Sequence, residues 1–135
     1  MAPTHHQKHQ AGRHLVVAQA LLMGSEAQIV GRSTFVEING HRAEVRVATT
    51  GTWQIANVDR FLSATTPRVV FVDLSGTVPE FFILDGDGAR ATVKRHYEEF
   101  LTRVGGVRPR NPQSKHAALK RDHVQRGLDR WSLFD

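Results

Sequence analysis

The chain contains no cysteine. This absence excludes disulfide bonds, thiolate catalysis and any zinc site built from cysteine. No apolar run approaches the roughly 18 residues that a membrane-spanning helix needs, and the N-terminal sequence MAPTHHQKHQ has no apolar stretch of the kind found in secretion signals. We therefore expect a cytoplasmic protein that has no membrane partner.

Several common catalytic motifs are also missing. The sequence has no nucleophile elbow, no phosphate-binding loop of the Walker type and no glycine motif for a dinucleotide. The length of 135 residues, 40% of them apolar, is sufficient for one packed domain. Composition alone therefore leaves the function open.

Positive charge is concentrated in the last quarter of the chain. The formal net charge is +5, and residues 1–102 contribute ten basic and ten acidic side chains, a balance of zero. Residues 103–135 contribute eight basic side chains against three aspartates, and the basic ones are Arg103, Arg108, Arg110, Lys115, Lys120, Arg121, Arg126 and Arg130. Such one-sided charge is typical of a surface that binds a polyanion, although a solvated helix face would look the same.

Apolar spacing predicts an α/β fold. An Asn39-Gly40 pair between two alternating segments is typical of a β-hairpin, because a type I′ turn needs two positive φ angles. We expect a central mixed sheet with this antiparallel hairpin, flanked by helices. The predicted strands are 27–31, 33–38, 41–48, 68–74 and 80–84, and the predicted helices are 13–23, about 55–63, 89–104 and a basic C-terminal helix over 114–131.

Three segments follow from this pattern. Residues 1–12 are polar and are expected to be a disordered tail, in which the three histidines have no rigid support for binding a metal. Residues 13–104 form the predicted α/β domain, and residues 105–135 form a basic linker and the C-terminal helix. Trp53 and Trp131 could stack on bases, but their apolar surroundings favour packing in the core.

The second arm of the hairpin carries the most distinctive charged pair. Ala43, Val45 and Val47 alternate with polar residues and share one face of the strand, while Glu44 and Arg46 lie side by side on the other face. An ordinary exposed ion pair would fit this pattern. So would a phosphate contact by Arg46 or metal ligation by Glu44.

The order of elements and several sequence motifs resemble the PD-(D/E)XK restriction-endonuclease-like superfamily. The resemblance covers about residues 12–131. The shared features are an opening helix motif, a hairpin motif, two strand motifs and a C-terminal ending. In this chain they are, in the same order, Gly12-Arg13-His14 through Ala18 and Leu22 to Gly24, then Glu44-Val45-Arg46, then Val70–Leu74 and Pro79–Leu84, and finally Asp129-Arg130-Trp131. The resemblance implies a restriction-endonuclease-like sheet, on which carboxylates of the hairpin hold Mg²⁺ and a neighbouring lysine orients the attacking water.

The chain departs from that motif in ways that bear on catalysis. The first arm has no acid at Ser33, Thr34 or Phe35, so Glu37 is the nearest carboxylate, and Arg46 stands where a lysine is usual. The resemblance therefore favours a DNA-binding protein without catalysis, which contacts phosphates through Arg46 and the basic C-terminal residues Arg108, Arg110, Lys115, Lys120, Arg121 and Arg126.

Two alternatives remain open. The first is a Mg²⁺-dependent endonuclease with an altered site, in which Glu44 and Arg46 are catalytic and the metal is held by Glu37 and Glu44, with Asp73 as a further ligand. The second is a protein-interaction or regulatory module, such as a homodimer, whose basic segment meets an acidic protein.

Overall fold

A computed structural model describes residues 1–31, 35–106 and 115–135. In these ranges the α-helices are α1 (His5–Leu22), α2 (Val58–Ser63), α3 (Gly86–Arg103) and α4 (Arg121–Val124). The strands are β1 (Ala27–Val30), β2 (Phe35–Ile38), β3 (His41–Ala48), β4 (Thr52–Ile55), β5 (Arg68–Asp73), β6 (Glu80–Asp85) and β7 (Ala117–Lys120). Two 3₁₀ turns, Gln125–Gly127 and Trp131–Phe134, complete the described C-terminal segment.

The main sheet is mixed and five-stranded, which confirms the predicted α/β class. Its strand order is β1-β2-β3-β5-β6. β1, β2 and β3 form an antiparallel meander, β3 and β5 pair in parallel, and β6 returns antiparallel to β5. The hairpin between β2 and β3 turns at Asn39 and Gly40 with φ angles of 50° and 82°, as the sequence predicts. A second sheet consists of β4 and β7.

Each face of the main sheet buries its own apolar cluster. Ala43 and Val45 of β3 pack with Val16 of α1 on one face. Phe71 and Phe82 pack with Trp53 of the small sheet and with α3 on the other. The alternation within β3 therefore places its apolar residues on one face, as predicted, and that face contacts α1. Glu44 and Arg46 lie on the opposite face.

The first helix begins earlier than the sequence predicts. Residues 5–12, which were expected to be disordered, form the first turns of α1. Thr4 caps this helix with a capping box: its hydroxyl accepts from the Gln7 amide, and the Gln7 side chain accepts from the Thr4 amide. Reciprocal bonds of this kind satisfy two amides that are otherwise unpaired at a helix start.

The prediction of a basic C-terminal helix over residues 114–131 is wrong for the part of this segment that the structure describes. Residues 117–120 form strand β7 instead, and only Arg121–Val124 are α-helical in the part of this segment that the structure describes. Ala117 and Leu119 are buried opposite Ile55 and Trp53 of β4, whereas Ala118 and Lys120 are exposed. The apolar residues follow a period of two here, and pairing with β4 prevails over the helical spacing of the longer segment.

Candidate nucleic-acid interface

Glu44 and Arg46 form a close ion pair on β3. Arg46 Nε donates to Glu44 Oε2 at 2.8 Å, and Glu44 is only 8% exposed. The Arg46 guanidinium lies 4.9 Å from the centre of the Phe61 ring, in a cation–π contact. The pair is thus a partly buried unit, and the carboxylate that the resemblance assigns to Mg²⁺ is occupied by an arginine.

The described carboxylates do not form the Mg²⁺ site that the resemblance implies. Glu37 lies opposite Arg42, while Glu44 lies opposite Phe35. Asp73, two strand positions beyond the register partner of Arg46, accepts from the Ser75 amide at 2.9 Å. In residues 1–31, 35–106 and 115–135, no group of three or more His, Asp or Glu side chains could hold a metal ion. The structure therefore does not bring Glu37, Glu44 and Asp73 together as ligands.

Arg121 and Arg126, which were predicted to contact phosphate, make hydrogen bonds inside the protein instead. Both terminal nitrogens of Arg121 bind the Glu80 carboxylate, one of them at 2.7 Å, and the same guanidinium lies 3.6 Å from Asp73 Oδ2. Arg126 donates to the Thr92 hydroxyl at 2.6 Å and to the His123 carbonyl at 3.0 Å. The Arg121–Glu80 and Arg126–Thr92 bonds hold the C-terminal segment to β6 and α3.

The remaining predicted contacts divide into two groups. Lys115 and Lys120 are exposed. Arg108 and Arg110 lie outside the described residues.

The Glu80–Arg121 pair makes a testable contribution to stability. Hydrogen bonds from Arg121 lower the pKa of the Glu80 carboxyl. A carboxyl with a depressed folded-state pKa stabilises the fold above the unfolded-state pKa of about 4.3, and this contribution is lost as the pH falls through the lower, folded-state value. In urea unfolding, we expect the stability difference between the wild type and Glu80→Gln to vanish on acidification. A difference that stays constant with pH would contradict this role.

A cleft between α3 and β7 is lined by two basic side chains, Arg103 and Lys120. Its volume is about 390 Å³. The residues that give it its chemical character are aromatic, imidazole or cationic, namely His96, Tyr97, Phe100, Arg103, His116, Lys120 and His123. Glu99 is the one carboxylate among the described lining residues. The cleft lining therefore combines flat aromatic and imidazole rings with cationic side chains.

The ring geometry of the cleft is well defined. His96 and His123 stack with centroids 3.6 Å apart and planes 21° apart. Burial, followed by the neighbouring His96, lowers the pKa of His123, so that its ring is neutral near pH 7. The guanidinium of Arg103 lies 5.7 Å from the centre of the Phe100 ring. The rings of His96, His123 and Phe100 form the aromatic part of the cleft lining. Arg103 on α3 and Lys120 on β7 are its cationic side chains.

Sequence reasoning identified Lys120 but missed the cleft. His96, Phe100 and Arg103 are spaced four and three residues apart and so lie on one side of α3, which was a detectable signal. Their partners come from β7 and α4, in a region that the sequence predicted to be one helix. Predicting the strand β7 was therefore a condition for finding the cleft.

Comparison with protein-family models and with curated proteins returned no match to this chain. The resemblance to the restriction-endonuclease-like superfamily accordingly rests on the residues quoted above. Among the helices of the described ranges, none has the length and apolar character needed to cross a membrane.

Proposed function

We propose that the protein binds nucleic acid, and DNA in particular, through the α3–β7 cleft, without metal-dependent cleavage. The observation that supports this function best is the combination of Arg103 and Lys120 with the rings of Tyr97, Phe100 and the His96–His123 stack around one opening. Cations of this kind bind backbone phosphates, and ring faces stack on unpaired bases.

The shape of the cleft favours single strands over duplexes. A base can reach the rings of a cavity of about 390 Å³ only if it is unpaired. Exposed Lys115, beside the start of β7, extends the positive surface. Because phosphate contacts carry no base identity, binding should show little sequence preference. It should weaken as the salt concentration rises, because the release of counterions from the nucleic acid is then less favourable.

Fluorescence anisotropy with labelled oligonucleotides tests this proposal. We expect tighter binding to single-stranded than to double-stranded DNA, and a linear fall of log K with log salt concentration. The double variant Arg103→Met/Lys120→Met should reduce the steepness of that line by about 0.7 for each lost phosphate contact on a single strand.

A charge-matched control separates the cleft from general positive charge. Arg42→Met/Arg60→Met removes the same number of charges from exposed positions on β3 and α2. We expect its salt dependence to remain close to that of the wild type. Equal losses in both double variants would contradict the cleft as the site, and absence of binding at low salt would contradict the function.

The same oligonucleotides test the nuclease alternative. After incubation with Mg²⁺ or Mn²⁺, we expect the DNA to remain intact. Cleavage that disappears in Glu44→Ala would replace our proposal with the endonuclease. If light scattering shows a stable complex of two chains and no DNA is bound, the interaction module is favoured instead.

A further inference from the structure

His123 closes the junction between β7 and α4 through a hydrogen bond that requires an unprotonated ring nitrogen. Its Nδ1 accepts from the backbone amide of Lys120, the last residue of β7, at 3.0 Å. Because an imidazole nitrogen accepts only when it carries no proton, the proton of this neutral ring is on Nε2. His123 is the third residue of α4, the position from which a glutamine or glutamate side chain often accepts from the amide preceding a helix.

The stacked ring of His96 opposes a positive charge on His123 from the side of α3. The two ring centroids are only 3.6 Å apart, and two positive charges at such a distance repel each other. The Glu99 carboxylate lies 3.3 Å from His96 Nδ1 and is therefore placed to compensate a charge on His96. A proton on His123 Nδ1 would remove the bond to Lys120 and place a charge against the His96 ring.

Charged and titratable groups face His123 from every element around it. They are His96 and Glu99 on α3, Lys120 on β7 and Asp122 on α4, and Tyr97, Arg103 and His116 complete the titratable lining of the cleft. Burial lowers the pKa of His123 most, and the charge of His96 lowers it further. Asp122 and Glu99 act in the opposite direction without reversing the shift. The ring therefore gains a proton only below the ordinary histidine pKa of about 6.5.

The hydrogen bond between Lys120 and His123 joins two parts of the cleft wall. Lys120 is one of the cations of the lining, and His123 is one half of the stacked ring pair. Once Nδ1 is protonated, the ring nitrogen and the Lys120 amide face each other as two donors. The ring then turns away or the junction opens, and either movement separates His123 from His96.

We propose that His123 is a proton-sensitive switch of the α3–β7 cleft, which presents the stacked rings to a base when it is neutral and withdraws them when it is protonated. This proposal rests on the function proposed for the cleft and adds how that site is regulated. Acidification then has two opposite effects on a bound single strand. Added positive charge strengthens the phosphate contacts, whereas loss of the ring pair weakens stacking on the base.

Urea unfolding at several pH values tests the switch without nucleic acid. A histidine with a lowered folded-state pKa stabilises the fold above the unfolded-state pKa of about 6.5, and this contribution is lost as the pH falls toward the folded-state value. In His123→Gln, the side-chain carbonyl can accept from the Lys120 amide and does not titrate. We expect the urea midpoint of the wild type to fall relative to that of His123→Gln between about pH 7 and pH 5.

A matched control and a second measurement keep this test decisive. His14→Gln removes an exposed histidine of α1 and should differ from the wild type by the same amount at every pH. A midpoint difference between the wild type and His123→Gln that does not change with pH would overturn the proposal. If His123→Gln does not fold, the wild type is titrated by nuclear magnetic resonance, and a Lys120 amide signal that does not follow the titration of the His123 ring would also overturn it.

Fluorescence anisotropy with two single strands separates the switch from the function on which it rests. One strand carries thymine bases and the other is an abasic strand of the same length and charge, both measured at one ionic strength. Between about pH 7.5 and pH 5, we expect the preference for the thymine strand to fall at least about fivefold, the lower end of the contribution of a stacked base. An unchanged preference would overturn the switch and leave the cleft as the binding site. Absence of binding to both strands at both pH values would instead contradict the function itself.

Discussion

Replacing Trp53 by alanine is expected to lower the free energy of unfolding by about 3–5 kcal/mol, the usual range for a large aromatic residue in a core. Trp53 is 1% exposed and meets the rings of Phe71 and Phe82 edge-on, at centroid distances of 5.6 and 5.8 Å. Its indole Nε1 donates to the Val72 carbonyl at 3.1 Å. The side chain therefore joins the small sheet to the main sheet, and its removal leaves a cavity and abolishes this hydrogen bond.

Urea unfolding followed by circular dichroism measures this effect. Trp53→Phe should lose less than Trp53→Ala, because the ring contacts are partly kept while the indole hydrogen bond is lost. Thr49→Ala, an exposed change near the same loop, should stay within about 0.5 kcal/mol of the wild type. A loss below about 1 kcal/mol for Trp53→Ala would contradict the structural role and would return Trp53 to consideration as a base-stacking residue.

The strands of the main sheet were the most predictable part of the fold. β3 occupies residues 41–48 as predicted, because Ala43, Val45 and Val47 alternate with polar residues over a sufficient length. Near-continuous apolar residues also identified β5, whose central part is buried on both faces. In these segments local sequence and tertiary packing require the same conformation, and that agreement makes sequence reasoning reliable.

The small sheet was not predictable in the same way. β4 and β7 have four residues each, and their pairing joins Trp53 with Leu119 across a long separation in sequence. A four-residue alternation is too short to distinguish from one face of a helix. The cleft could not be predicted for the same reason, since Lys120 of β7 lines it together with His96 and Phe100 of α3 only when β7 is a strand.

The burial of Arg13 could not be predicted from the sequence for a different reason. In the sequence, Arg13 is only one position of the opening-helix motif. Its burial follows from the close contact of Gly12 with Val47, which depends on how α1 crosses the sheet. A buried charge of this kind can be recognised only in the structure, because it depends on how the helix packs on the sheet.

Replacing Arg13 by methionine is expected to raise the free energy of unfolding, whereas Trp53→Ala is expected to lower it. Methionine is unbranched and apolar, so it can fill the space of the arginine stem without a buried charge. Replacing buried ionic groups by apolar ones of similar size often stabilises a protein by about 1–4 kcal/mol. We expect a gain in this range for the free energy of unfolding of Arg13→Met, measured by urea unfolding.

Arg60→Met is the matched control for this prediction, because it removes an exposed arginine of α2. It should change the free energy of unfolding by no more than about 0.5 kcal/mol. If Arg13→Met is instead less stable than the wild type, the guanidinium is already satisfied within the fold, and the arginine contributes to the packing of α1 on the sheet.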